Sequence, residues 1–392
     1  MQVKKIFNCC VVSLMALLSS SCTPEPSKIK IGAVLPLTGT FSIYGQQALK
    51  GAQLAIDEIN ESGGVLGRQL ELIIRDNQTN PAKSVKFSRE LVQQYQVFSL
   101  LGPVSSASRY AMTEVAETFQ TPLFYGMDYE GQHTSRYLVC YSTIPEHYIE
   151  PIVPYLINNV SDTFYIFGYD YIWPHRMSER ITQSVNQHNG KVLGTEFTAF
   201  GVGNYHPVFE RIKQSGADNL MLILPGGDGF SFLTQMKQFD FERDIQIVAF
   251  AADETYLNNL DDESLNGVLT ALHFFSSLDN QVTQSFVSNY RNRYGEDAVV
   301  TYSSKSHYDL VYLFADALSQ AGEVDKEKMI NALPSTSLYQ GGLKLTVRQD
   351  HHIDLPMYLG QFKDHKLKVI KSLGIISPPD QRSSTADEQT EH

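Results

Sequence analysis

"KIKIGAVLPLTGTFSIYGQQALKGAQLAIDEINESGGVLGRQLELIIRD" (residues 28–76) holds three patterns in succession. Its opening, KIKIGAVLPL (28–37), is a β-rich apolar run and reads as a strand. The middle, YGQQALKGAQLAIDEINESGG (44–64), sets Ala48, Ala52, Ala55, Ile56 and Ile59 at helical spacing and stops at Gly63 and Gly64. QLELIIRD (69–76) is a second strand. Strand, helix and strand joined by short connections form a βαβ unit, the building block of a parallel sheet covered by helices.

The alternation continues outward from this stretch. NPAKSVKFSRELVQQ (80–94) is a helix with Asn80 as cap and Pro81 at its first position, where a missing N–H costs nothing. FSLLG (98–102) is a strand, SSASRYAMTEVAETF (105–119) a helix and PLFY (122–125) a strand. After residue 145 the pattern restarts with TFYIFGYD (163–170), the helix PHRMSERITQSVNQHNG (174–190), KVLGTEFTAF (191–200) and a helix at 204–216 capped by Asn204. ADNLMLILP (217–225), DGFSFLTQMKQF (228–239) and IQIVAF (245–250) extend it. Two long amphipathic helices (280–295, 303–322) and short β-like pieces up to PMYLGQF (356–362) follow, and the tail 377–392 has the composition of disorder. No polar linker separates the halves, so the expected fold is α/β, with two Rossmann-like lobes, parallel central sheets and a shared hinge.

The 392 residues, 42% hydrophobic and 19% charged, suffice for two cores. A net charge of -12 argues against nucleic acid or anionic lipid as a partner, since both would be repelled. Lys4 and Lys5 precede the apolar run IFNCCVVSLMALL (6–18), too short to span a bilayer, and small residues follow it. Residues 1–21 therefore read as a secretory signal, and residues 22–27 as a tether. Cys22 stands where a lipoprotein signal places its acylated cysteine, with simple cleavage and release as the alternative; the membrane is then met only through this anchor. Cys9 and Cys10 leave with the signal, and Cys140, inside the strand-like YLVCY, is expected to be buried and inert.

Ligands of open α/β sheets bind at the carboxyl ends of strands. The segment after the first strand carries Ser42 and Tyr44, and GPVSSASR (102–109) sets Ser105 and Ser106 at a helix start. Those serines suit either plain capping or contact with a carbonyl or carboxylate. FYGMDYEGQ (124–132) places Tyr125, Met127 and Asp128 directly behind a strand, with Glu130 expected to order the loop. In the second half, GYDYIWPHR (168–176) carries Tyr171 and Trp173, PGGDGF (225–230) carries Asp228, and AADETY (251–256) carries Asp253 and Glu254. Aromatic faces can sandwich a small organic group while carboxylates and hydroxyls take its N–H donors. The common nucleophile-elbow, phosphate-loop, zinc-protease and dinucleotide motifs are missing, which argues against an enzyme and implies no cofactor. DHH (350–352) reads as a surface turn rather than a metal site.

IKIGAVLPLTGTFSIYGQQALKGAQLAIDEINESGGVLGRQLELIIRDNQTNPAKS resembles, almost continuously, the opening of type I periplasmic binding proteins of the leucine/isoleucine/valine-binding family. LGPVSSASR, FYGMDYEGQ, FGYDYIWPHR, GGDGFSF and HFFSSLDNQVTQSFVSNYRNRYGEDAVVT are similar to its short-chain amide and urea-binding branch. The resemblance implies three hinge crossovers, lobe 1 over 28–144 plus about 274–345, lobe 2 over 145–273 plus about 346–374, and a disordered tail over 375–392. It also implies that Ser105 and Ser106 meet the ligand's carbonyl or carboxylate, that Tyr125 and Tyr171 line an amide pocket, and that Glu254 or Asp253 lies near where amino-acid-binding relatives keep an acid for the ligand ammonium. Val104 stands where that branch commonly has an aromatic, and Lys305 where it has an acid. The expected function is an extracytoplasmic lipoprotein that captures a small polar ligand, a short-chain amide, urea-like compound or amino acid, and delivers it to an ABC permease and ATPase complex. The alternative is a ligand-sensing co-receptor for a membrane histidine kinase.

Overall fold

The computed structural model describes residues 28–340 and 343–382. The signal, Cys22 and the tether, and the end of the tail from residue 383, lie outside the described residues. Lobe 1 is built on β1 (Ile29–Leu35), α1 (Ser42–Glu61), β2 (Leu70–Asp76), α2 (Pro81–Gln93), β3 (Ser99–Leu101), α3 (Ser106–Thr118), β4 (Leu123–Tyr125) and β5 (Leu138–Cys140). Its five strands are all parallel, in the order β2-β1-β3-β4-β5. The Asn80 side chain does cap α2, accepting from Lys83 N–H at 3.1 Å. Ser42 and Tyr44, expected ahead of α1, lie in its first turn.

Lobe 2 follows with α4 (Pro145–Asn159), β6 (Thr163–Tyr169), α5 (Ile172–Gln187), β7 (Lys191–Thr198), α6 (His206–Ser215), β8 (Asn219–Ile223), α7 (Gly227–Gln238), β9 (Gln246–Ala249), α8 (Asp262–Leu265) and β10 (Leu269–Leu272). The chain then returns to lobe 1 with α9 (Gln281–Tyr294), α10 (Tyr302–Ala321), α11 (Lys326–Ala332) and a hairpin of β11 (Ser337–Gln340) and β12 (Leu343–Thr346). It ends in lobe 2 with β13 (Leu355–Phe362) and β14 (Leu367–Ile376). The second sheet runs β14-β13-β10-β9-β8-β6-β7, parallel from β7 to β10 and antiparallel at β13 and β14. The chain thus passes between the sheets three times, after β5, after β10 and before β13.

Three expectations are corrected. The cap residue of α6 is Tyr205 rather than Asn204, although the Asn204 side chain still accepts from His206 N–H at 3.1 Å. DHH is no surface turn: Asp350, His351 and His352 are all buried in the third crossover. The expected disordered tail begins too early, because β14 runs to Ile376 and Gln381 is buried. Polar groups in that crossover need partners once buried, and the tail supplies them. Arg348 donates to the Pro378 carbonyl at 2.6 Å, and Gln381 N–H donates to Asp350 at 3.0 Å.

In lobe 1 the helix α10 packs directly on α1, which turns Ala48, Gly51, Ala52, Ala55 and Ile59 inward at helical spacing. The approach is so close that a Cβ on Gly51 would lie 1.9 Å from the Ser304 carbonyl oxygen. Gly51→Ala should therefore cost about 1–3 kcal/mol through backbone displacement, lowering the thermal unfolding midpoint. Gly203→Ala, where an added Cβ meets nothing within 4 Å, serves as the control. A Gly51→Ala midpoint equal to that of wild type would show that the two helices do not meet in this way.

Candidate functional site

Both sheets reverse their strand order once, between β1 and β3 in lobe 1 and between β6 and β8 in lobe 2. A crevice opens where neighbouring crossovers leave a sheet on opposite faces. The two crevices face each other across a cavity lined by Phe41, Tyr44, Val104, Ser105, Met127, Asp128 and Tyr302 from lobe 1 and by Tyr171, Trp173, Pro225 and Ala251 from lobe 2. Apart from Tyr302, which opens α10, all of these follow the carboxyl ends of β1, β3, β4, β6, β8 or β9. The cavity is about 30 Å³. One water needs roughly 10–15 Å³ on a comparable measure, so the closed cleft admits only a few heavy atoms.

Close backbone packing shapes the walls. Gly102 turns the chain after β3 at φ +99°, where a side chain is strained, and an added Cβ would lie 2.5 Å from the Val34 carbonyl of β1. The strands can approach there only because residue 102 is glycine. The Ser105 side chain caps α3, accepting from Ser108 N–H at 3.3 Å. Across the cleft the Tyr44 hydroxyl donates to the Ala251 carbonyl at 2.9 Å, a direct bridge between the lobes.

The cavity wall holds one carboxyl, Asp128, and no Lys, Arg or His side chain. Burial pushes Asp128 up to about 7, against the hydroxyl of Thr143, which donates to it. Behind Ala251, burial likewise raises Asp253 to about 6, against the Thr255 N–H and hydroxyl. Glu254 rises to about 7 through burial and the neighbouring charge of Asp253, against the N–H of Ser276 at 2.6 Å. The Trp173 indole N–H, the Tyr302 hydroxyl and one oxygen each of Asp253 and Glu254 are buried without a protein hydrogen-bond partner of good geometry. Buried polar groups are normally satisfied, and of these only Trp173 and Tyr302 line the cavity, where an outside molecule could bond them.

Of the residues singled out in the sequence, Tyr44, Val104, Ser105, Met127, Asp128, Tyr171 and Trp173 line the cavity. Ser106, Tyr125, Asp228 and Glu254 do not, which corrects their expected placement. The Ser106 hydroxyl donates to Glu130 at 2.6 Å, and the Tyr125 hydroxyl reaches back to the carbonyls of Val104 and Asp128 at 2.9 and 3.2 Å. Asp228 accepts from Gly201 N–H at 2.7 Å, and Glu254 is spent on the second crossover. Phe41, Pro225, Ala251 and Tyr302 also line the cavity without a distinguishing signal in the sequence. Phe41 and Ala251 lie in the same strand-end segments as Ser42 and Asp253, whereas Tyr302 follows no strand, so only the packing of α10 on α1 reveals it.

Directly behind this wall Arg109, fully buried on α3, pairs with Glu130. Its guanidinium lies 4.2 Å from the Tyr129 ring centroid, 4.5 Å from that of Tyr110 and 5.5 Å from that of Tyr125. The Tyr129 hydroxyl in turn bonds His352 of the third crossover. Among the described residues no cluster of His, Cys, Asp and Glu could hold a metal, and Cys140 is a buried free thiol. No described helix is long and apolar enough to cross a membrane.

The sequence profile of the family described as "Periplasmic binding protein" matches residues 28–366, and the chain belongs to that family. Parts of the chain are also similar to leucine/isoleucine/valine-binding proteins. A segment of 87 residues is 38% identical to "Leu/Ile/Val-binding protein BraC3" of Rhizobium johnstonii, covering 22% of this chain and 23% of that protein. The alignments with such relatives thus span about a quarter of their length. Over the whole fold the chain superposes on the leucine binding protein LivK of Thermotoga maritima with a TM-score of 0.79 at 20% identity, covering 90% of this chain and 99% of that one. A solute binding protein of R. palustris, crystallised with benzoate, gives 0.81 at 18% identity, covering 90% of this chain and 98% of that one.

The raised pKa of Asp128 has a testable sign. Its ordinary value is 3.8 and its folded value about 7, so the ligand-free fold is penalised as pH rises above about 4, and in full above about 7. Asp128→Asn keeps an acceptor for Thr143 and removes the penalty. Its unfolding midpoint should match wild type at pH 4 and exceed it by a few degrees at pH 8. A variant that gains no stability at pH 8 would show that this carboxyl is well solvated. Buried neutral histidines such as His147 and His273, both lowered to about 3 chiefly by burial, destabilise wild type and variant alike in acid, so the difference isolates Asp128.

Proposed function

We propose that the chain is an extracytoplasmic solute-binding protein that captures a small polar ligand in the interlobe cavity and delivers it to an ABC importer. Within that function the proposed ligand is a short-chain amide, a urea-like compound or a small amino acid. The observation that carries this reading is the composition of the cavity wall: aromatic rings on both lobes, a single carboxyl, the Trp173 indole N–H and the Tyr302 hydroxyl, and no cationic side chain. A free carboxylate such as benzoate would meet Asp128 with no side-chain counter-charge, whereas a carbonyl can accept from Trp173 or Tyr302 while its N–H groups donate to Asp128. The small volume points the same way. Acylation at Cys22 belongs to the same proposal, as the means of holding the protein beside its membrane partner.

A thermal-shift panel of acetamide, propionamide, urea, glycine, leucine and benzoate tests this, because a ligand bound only by the folded state raises its stability. At least one amide, urea or amino acid should raise the midpoint, and benzoate should not. For a neutral hit, affinity should rise with pH through about 7 and then level, because N–H donors favour ionised Asp128. Asp128→Asn should weaken binding roughly tenfold or more. If only benzoate binds, the polar-ligand reading is wrong.

A further inference from the structure

The ring of Phe41, on the turn between β1 and α1, does more than line the cavity. It is 2% exposed, and three rings of the opposite lobe lie around it. Its centroid lies 6.2 Å from Tyr169, 6.2 Å from Tyr171 and 5.9 Å from Phe200, edge-on to Tyr169 and Phe200. Those three lobe 2 rings also touch one another, with Tyr169 and Phe200 only 4.3 Å apart. Phe200 is not a cavity residue. It is 44% exposed on the segment after β7.

The segment that carries Phe200 is held from lobe 2 alone. Gly201 N–H donates to Asp228 at 2.7 Å, while Gln235 donates to the Gly203 carbonyl at 3.1 Å and accepts from Tyr205 N–H at 3.0 Å. Next to this cage an added Cβ on Gly226 would lie 3.0 Å from the Thr40 carbonyl, and Tyr44 bridges to Ala251. At the mouth of the cavity the two lobes therefore meet along a seam whose apolar part is Phe41 seated among Tyr169, Tyr171 and Phe200.

We infer that this seat is a latch that holds the lobes together before any ligand is bound, with Phe41 as the bolt, Phe200 as the outer wall of its socket and Asp228 as the residue that positions Phe200. The inference rests on the solute-capture reading for its purpose, since a latch of this kind slows ligand escape. Asp228 thereby gains a role without touching the ligand.

The molecule carries its own reporter. Trp173 is the single tryptophan, 3% exposed in the closed cleft and facing the cavity, so opening exposes it to water. Acrylamide quenching of Trp173 fluorescence, measured without ligand, follows the open fraction. Wild type should be shielded. Phe200→Ala should raise the open-to-closed ratio roughly two- to tenfold, the range expected for losing the one aromatic pair it makes across the lobes. Asp228→Ala should shift it the same way by less, and Asp228→Asn, which keeps an acceptor for Gly201 N–H, should resemble wild type. Circular dichroism confirms that each variant is folded, and Phe200 is exposed enough for truncation to leave the core intact. The latch is refuted if Phe200→Ala leaves quenching unchanged, or if ligand-free wild type is already fully quenched. Neither result bears on whether an amide or amino acid binds, and a failed ligand panel leaves the quenching result standing, so the two readings fail separately.

Discussion

Everything around the cleft depends on the buried pairing of Arg109 with Glu130. A guanidinium sealed from water needs a counter-charge, and removing one partner of such a pair typically costs about 3–5 kcal/mol. Glu130 accepts from Arg109 and from Ser106, so the start of α3 and the loop after β4 are held at one separation. Those two segments carry Ser105, Met127 and Asp128, part of the lobe 1 wall of the cavity. The same guanidinium lies against Tyr129, whose hydroxyl passes the constraint to His352. His352 is bonded to Asp350, and Asp350 receives Gln381 N–H from the tail. Gln132 N–H closes the circuit by donating to the Gln381 side chain at 2.8 Å. The cavity wall, the third crossover and the C-terminal segment are thus one hydrogen-bonded unit, and the tail that looks dispensable in sequence is part of it.

That unit separates what could be read from the sequence from what could not. Strands, helices and their alternation follow from local periodicity, and parallel topology then forces the strand-end loops to face the cleft. Tyr44, Val104, Ser105, Met127, Asp128, Tyr171 and Trp173 were therefore legible as a group, because each lies just past a strand that could be recognised. The errors share another cause. Ser106, Tyr125 and Glu254 sit in the same loops, but tertiary partners turn them away from the cavity: Glu130, the Val104 carbonyl and the Ser276 N–H. Asp350, His351 and His352 looked like a surface turn because polar triplets usually are, and their partners lie far away in sequence: Tyr129, Cys140 and Gln381. Tyr302 enters the site through helix packing that depends on Gly51, a contact between segments far apart in the chain. No local pattern encodes such pairings.

The electrostatics of the site fit capture better than chemistry. Asp128, Asp253 and Glu254 are each raised by burial to near neutrality, and no side-chain cation faces the cavity. Such a site disfavours anions and rewards a molecule that brings N–H donors for the carboxyl and an acceptor for Trp173. Closing two lobes around that molecule removes water and strengthens each bond made to it.

The most direct measurement is a crystal structure of the protein with the tightest member of the ligand panel. The account predicts the lobes closed over one small molecule between Tyr171, Trp173 and Tyr302, with an N–H group on Asp128 and an acceptor atom on the Trp173 indole. A ligand bound outside this cavity, or one whose carboxylate sits against Asp128, would contradict it.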